Sequence, residues 1–593
     1  ELDRLSAENI KQVELITNPG AEYGAAVGAV LKLKTVGKKI DGFGIGFRSV
    51  ADYSYKIGNN DQLNVEYRQN GLDLFGTFQY RLQHLKETGE TVQMTDVDTL
   101  WEQRTHSTDL GKNISYFGQF GFNYEINKNH SFGATYELTS APRDKMSNDN
   151  RTEVYADHEL YDVWNTNAFS IEKTYPTHHS NFYYHGDINS LEIDLNADVL
   201  VGKNKEEENI KELSLNYDDL YMTTFSETSN KLYAGKLVWA YPLFKGRISG
   251  GSEYSYIHRI SDFSGFGNQI LGTSDKIRER NLAFFLNCTW SLGGIDASAG
   301  LRYEDVKSDF YENSIYQSDE SKHYRNLFPS LSLKGSVGKV HWGLGYHIQV
   351  ARPYYEQLKN EIHYGNRFTY LGGTPNLQPT YIHTAEMRAA YRDLQLSVGY
   401  NRYNDDILFS IEQATSDPKI TLIKFRNVEH RDEMTASLVY SPGIGCWRPE
   451  WVASVQSQWF NIGYLDGTKN MNGITVGIRW NNSFQLPMGY IFRLNGTYTG
   501  KGVYQNSFTR PVSCFGVSIY KSFFNGRLDC TVEGNDLFHT VRDATTQYDN
   551  KVKIYRETQR NTQEVKLTVH YKFNLQKSKY KGTGAGLDEQ QRL

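Results

Sequence analysis

The chain has 593 residues, 39% of them hydrophobic, and a net charge of −5. Its longest unbroken small or apolar run is about eight residues, Gly24 to Leu31, well short of the roughly 18 that a membrane-spanning helix needs. The near-neutral balance carries no electrostatic footprint for nucleic acid. Aromatic residues make up 14%, and 51 Gly stand against 13 Pro. That composition excludes a disordered chain and fits many strands joined by polar turns.

The first 39 residues read differently from the rest. Leu5 to Leu15 is expected to form a short helix, capped by Ser6, with Leu5, Ile10 and Val13 on one face. Residues 14–24 (ELITNPGAEYG) run from a strand into a turn, and Gly28 to Thr35 (GAVLKLKT) is a strand. Val30, Leu31 and Leu33 are expected to pack against protein. The sequence opens at Glu1 without a signal-peptide pattern, so a mature or trimmed product is expected.

From residue 40 onward the period is two. Between Asn113 and Asn127, Tyr116, Phe120, Phe122 and Tyr124 share one parity, and Gln119, Asn123 and Glu125 the other. The same alternation recurs at Leu191–Val199, Asn281–Leu292 and Val565–Phe573. In the third, Leu282, Phe284, Leu286, Cys288, Trp290 and Leu292 fall on one side. Tight turns recur, among them Asn70-Gly71, Asn189-Ser190, Gly293-Gly294, Arg392-Asp393 and Asn525-Gly526. Between them lie longer polar stretches expected to be loops: 141–177, 202–230, 259–278, 306–326, 351–380 and 541–555.

Short turns alternating with long polar stretches predict a closed antiparallel transmembrane β-barrel. Ten short turns, with both chain ends on their side, require eleven hairpins and so about 22 strands over residues 40–573. The apolar parity then faces lipid. A propeller would show repeats of 40–50 residues, and none is present. Tandem sandwiches would show linkers, and no Pro/Ser-rich one appears.

Several segments resemble TonB-dependent outer-membrane transporters, in that family's order. Residues 14–35 resemble the C-terminal end of its plug domain, including Asn18, Pro19, Gly20, Tyr23 and Gly24. Residues 300–304 (GLRYE) and 326–333 (NLFPSLSL) look like successive mid-barrel strands. Residues 352–358 (RPYYEQL) and 372–379 (GGTPNLQP) look like its Arg-Pro and Gly-Asn-Pro segments, with Thr374 replacing the Asn. Residues 577–586 resemble tails of the Bacteroidetes-type branch. The resemblance implies an energised outer-membrane importer of an iron chelate, glycan or peptide. It divides the chain into a plug remnant (1–39), a barrel (40–573) and a periplasmic tail (574–593). TonB would act through an N-terminal segment that this sequence lacks, together with most of a plug. The other expected partners are lipid, lipopolysaccharide and a surface lipoprotein or further outer-membrane subunits. The alternative is a structural or assembly barrel in a larger outer-membrane complex.

Loop 351–380 is the leading ligand candidate, with Tyr354, Tyr355, His363, Tyr364, Arg367, Phe368 and Tyr370. Such rings give rigid surface with hydrogen-bonding tips, and the plainer reading is an aromatic girdle and loop packing. Tyr161 and Trp164 in stretch 141–177 come second, against a solvated loop facing lipopolysaccharide. His179 and His185 share a strand face but lie about 20 Å apart at the extended rise, so they cannot share an ion. Asn148-Asp149-Asn150 lacks the glycine and distal glutamate of a calcium loop. Asp218-Asp219 and Asp405-Asp406 point opposite ways within each pair. The four Cys (Cys288, Cys446, Cys514, Cys530) show no metal spacing and nothing that requires pairing. No nucleophile-elbow, zincin or Walker motif appears. No catalytic activity, cofactor or metal is expected.

Overall fold

The computed structural model of the chain describes residues 10–35, 41–267, 272–575 and 580–593. Among them, 22 antiparallel strands close into one barrel. Gly42–Tyr53, the first, pairs with Glu564–Phe573, the last, from Ile45↔Phe573 to Tyr53↔Val565. Closure leaves no open edge for lipid to desolvate. The short turns fall where the sequence places them. Asn70 and Gly71, the only residues between paired Gln69 and Leu72, both have positive φ, which a two-residue type I′ hairpin requires at both central positions.

One strand shows how the wall is built. In Thr273–Leu292, Leu282, Phe284, Leu286, Trp290 and Leu292 are exposed, Leu286 by 47%. Asn281, Ala283 and Phe285, of the opposite parity, are buried, Phe285 to 5% exposure. The apolar set faces outward, toward lipid. The other set faces the lumen, where these residues pack against protein.

Four expectations change. Ile10–Ile16 is a strand, paired antiparallel with Val30–Thr35, so the helix is not formed there. Residues 5–9 lie outside the described residues. A ladder partner for every second backbone group outweighs the weak helical pattern of three apolar residues. Leu31 is 43% exposed and so does not pack as expected, while Val30 and Leu33 are half-buried.

The stretches 141–177, 202–230, 259–278 and 306–326 are largely strand. His130–Ala156 and Glu159–Ile188, for example, meet at a two-residue turn, and the second is 30 residues long. Crossing the membrane takes about 9–11 residues of tilted strand. Beyond the lipid both faces of a sheet are wet, so the alternation that marks a strand in sequence disappears.

The fourth change is the tail. Residues 580–593 are not a periplasmic appendage: they lie inside the barrel. Tyr580 packs edge-on against Tyr183 at 4.8 Å and Phe75 at 5.9 Å. Ala585 is fully buried, and Leu587–Arg592 forms a short helix with Arg592 buried. The periplasmic reading fails because the wall presents buried acceptors that the glycine-rich backbone can reach.

Candidate ligand site

Loop 351–380 joins Val340–Ala351 to Thr380–Tyr391 and folds down into the barrel mouth. Tyr355–Leu358 makes one 3₁₀ turn. Ile362–Asn366 and Thr369–Gly372 form a hairpin whose second strand runs parallel to Thr421–Ile423. Tyr355 is fully buried, donates its hydroxyl to Glu279 at 2.9 Å, and stacks 4.3 Å from the Arg592 guanidinium. Tyr354, next to it, is exposed.

The hairpin is held from the side by Glu212. Tyr364 donates its hydroxyl to Glu212 at 2.9 Å, and Arg367 pairs with the same carboxylate at 2.7 Å. Tyr364 meets Tyr370 edge-on at 5.6 Å. Phe368 is buried against Trp164 at 4.9 Å and Trp101 at 5.3 Å, and Tyr161 packs on the far side of Trp101 at 5.1 Å. Residues singled out from two separate stretches therefore meet in one cluster. Within it Trp164 and Phe368 serve as packing. Tyr354 is exposed, and His363, Tyr364 and Tyr370 are half-buried. His363 lies 3.3 Å from Glu361, which Lys359 also contacts at 2.8 Å. Burial acts to lower the His363 pKa, and the Glu361 carboxylate raises it by more, so the net shift is upward.

The plug-end residues dock on the inner wall, in part on the two strands that flank the loop. The Thr17 hydroxyl donates to Glu386 at 2.8 Å, and the Asn18 side-chain amide to the Leu331 carbonyl at 2.7 Å. Pro19 is buried. The Tyr23 N–H closes a turn onto the Gly20 carbonyl at 3.1 Å, and the Gly24 carbonyl accepts from the Val27 N–H at 2.9 Å. A cavity of about 340 Å³ lies between this turn and the tail, bordered by Glu22, Tyr23, Lys236 and Asp588.

The sequence reading did not find the charges that line this interior. Arg302 pairs with Glu304 at 2.5 Å and Glu253 at 2.9 Å, and Arg352 bridges Glu304 and Asp588. The signal was present: Arg302 and Glu304 sit two apart on the luminal parity of a strand noted only for its family likeness. Asp406 is paired with buried Arg431 at 2.7 Å, and the Asp218 main-chain carbonyl accepts from Arg367. Among the described residues one trio brings its ligand atoms within 4.8 Å of one another: His185, Glu192 and Asp194. His185 already bonds Asp194 at 2.6 Å, and Arg247 pairs with Glu192 at 2.7 Å.

The profile of the outer membrane protein beta-barrel family matches residues 187–571. The chain belongs to that family. It is an outer-membrane protein, and its barrel is of the kind found in TonB-dependent transporters. Similar solved structures include the copper transporter OprC, 11% identical with TM-score 0.62, covering 95% of this chain and 86% of that one. The FrpB iron transporter of Neisseria meningitidis (F3-3 variant) is 12% identical with TM-score 0.59, covering 95% and 88%. The outer membrane transporter YddB of Escherichia coli is 11% identical with TM-score 0.57, covering 96% and 85%. Identities this low speak for the fold. A search of curated protein sequences gives no match.

Proposed function

We propose that the chain is the barrel of a TonB-dependent outer-membrane importer of a scarce nutrient. The observation that carries this reading is the turn Thr17–Val27, docked inside a 22-strand barrel by bonds to Glu386, Leu331 and Val350. A barrel of this size encloses a lumen wide enough to need internal filling. An energised plug has to rest against the wall through contacts few enough to release. The similar structures named above as iron and copper transporters support transport. TonB would pull on a segment N-terminal to this turn. The ligand would be an iron chelate, a glycan or a peptide, held on the extracellular side by Tyr354, His363, Tyr364 and Tyr370.

The test is uptake of defined iron, glycan and peptide sources by cells with and without the gene, repeated without TonB. Import that needs both supports the proposal, and uptake of every source unaffected by either deletion overturns it. Replacing Tyr354 and Tyr370 with Ala should weaken ligand binding by about 1–2 kcal/mol per anchor. Tyr355 is a poor choice for this test, because its buried ring supports the loop itself.

A further inference from the structure

The tail is held in a manner that describes its own binding site. Four consecutive backbone N–H groups are donated to wall side chains. Thr583 and Gly584 bond Asn196 at 2.9 and 3.2 Å, Ala585 bonds Asp198 at 2.8 Å, and Gly586 bonds Glu253 at 2.9 Å. The wall therefore reads main chain here, and it demands small residues. A Cβ on Gly582 would lie 2.4 Å from the Asn181 side-chain oxygen, and one on Gly586 2.8 Å from the Ala234 Cβ.

Beyond the glycines the wall reads charge. Asp588 meets Arg352 at 2.5 Å. Arg592 donates to Glu279 at 2.5 Å and to the Pro353 carbonyl at 3.0 Å, with its guanidinium over the Tyr355 ring. Asn196, Asp198 and Glu279 are each at least nine-tenths buried. The segment completes sites that the wall has already ordered: Asp198 also accepts from His179 at 2.8 Å and Asn181 at 2.7 Å, and Glu279 from Tyr355 at 2.9 Å. Yet residues 580–593 join no β-ladder of the barrel. Every hydrogen bond between the segment and the wall involves a side chain on one side or the other, so a separate peptide can make the same contacts.

We propose that the inner wall from Asn196 to Glu279 is a peptide-binding site, filled at rest by the chain's own Tyr580–Leu593. Its ligand class is a peptide with a run of glycine and other small residues, followed by an acidic residue and, four residues on, an arginine. The site does not depend on the importing role, which is read by TonB-dependent uptake. It extends from the cavity beside the plug end up to Tyr355, beneath the candidate ligand loop.

The experiment titrates a fluorescent synthetic peptide of residues 580–593 onto two purified barrels, the full chain and a chain lacking those residues. Heat-modifiable gel mobility reports assembly of each. The truncated barrel should bind saturably. The full chain should bind at least about tenfold more weakly, because its tethered segment competes at an effective concentration of about millimolar. Arg592→Ala in the peptide, or Glu279→Gln in the barrel, should each weaken binding by at least about tenfold. If the truncated barrel does not assemble, the full chain carrying Gly586→Leu, which displaces the segment without removing it, takes its place. Absence of saturable binding to an assembled barrel with the segment removed or displaced, equal binding to the full chain, or indifference to both charge changes would overturn the proposal.

Discussion

The two faces of the barrel wall obey different rules, and the strand Thr273–Leu292 carries both. Its outward residues, Leu282, Phe284, Leu286 and Trp290, touch a solvent: each contributes according to its depth in the bilayer, with little dependence on its neighbours. Its inward residues have named partners. Glu279 holds Arg592 and Tyr355, Asn281 donates to Glu589 at 3.1 Å, and Asn287 sits against Gly20. The outer face is an adaptation to a medium and tolerates exchange among apolar residues. The inner face is a recognition surface, where a change is felt by one particular contact.

The comparison is tested most severely by Arg592→Ala. This leaves Glu279 buried without its cation, and breaking a buried pair costs about 3–5 kcal/mol. Hydrogen exchange should show amides 583–586 losing protection while the barrel strands keep theirs; uniform protection would mean that Arg592 does not anchor the segment.

Next comes Leu286→Arg on the outer face, expected to cost about 2–4 kcal/mol near mid-bilayer, against far less for Gln119→Arg, which faces luminal Glu137. Denaturant titration of the folded barrel in lipid vesicles measures both, and equal costs would dissolve the distinction between the faces.

A matched glycine pair gives a smaller contrast. A Cβ at Gly300 would meet the Ser330 hydroxyl at 2.6 Å and the Ala21 Cβ at 3.0 Å, whereas at Gly118 nothing lies within 4 Å. Gly300→Val should cost about 1–3 kcal/mol by overpacking and loosen the turn at Ala21. Gly118→Val should leave stability nearly unchanged.

The smallest effect concerns pH at the mouth. His363 has its pKa raised in the folded chain, against the pull of burial, by Glu361. Its contribution is therefore complete below about 6.5, the unfolded value, and is lost as pH rises through the higher folded value. The pair is partly exposed, so less than about 1 kcal/mol is at stake. Proteolysis of the 362–372 hairpin should quicken as pH rises through this window, and His363→Gln should abolish the dependence.

Much of this molecule was legible as a pattern. Lipid contact forces an unbroken apolar parity, and hairpin geometry forces Asn-Gly and Gly-Gly at tight turns. The strand number, the closed barrel and the outward residues therefore followed from local sequence. Above the membrane that constraint lapses. Glu159–Ile188 runs on through wet residues and carries no period to announce it. The ligand candidates were half legible: their aromatic chemistry was visible, but burial of Tyr355, Trp164 and Phe368 depends on strands far away in the chain. The tail was the least legible of all. Its glycines read as a loose end, because nothing local says that Asn196, Asp198 and Glu253, some 330–390 residues earlier, accept from its backbone. Periodicity is a local property imposed by the solvent and is written into each strand by itself. Which inward charge meets which segment is a property of the closed barrel, and only tertiary structure decides it.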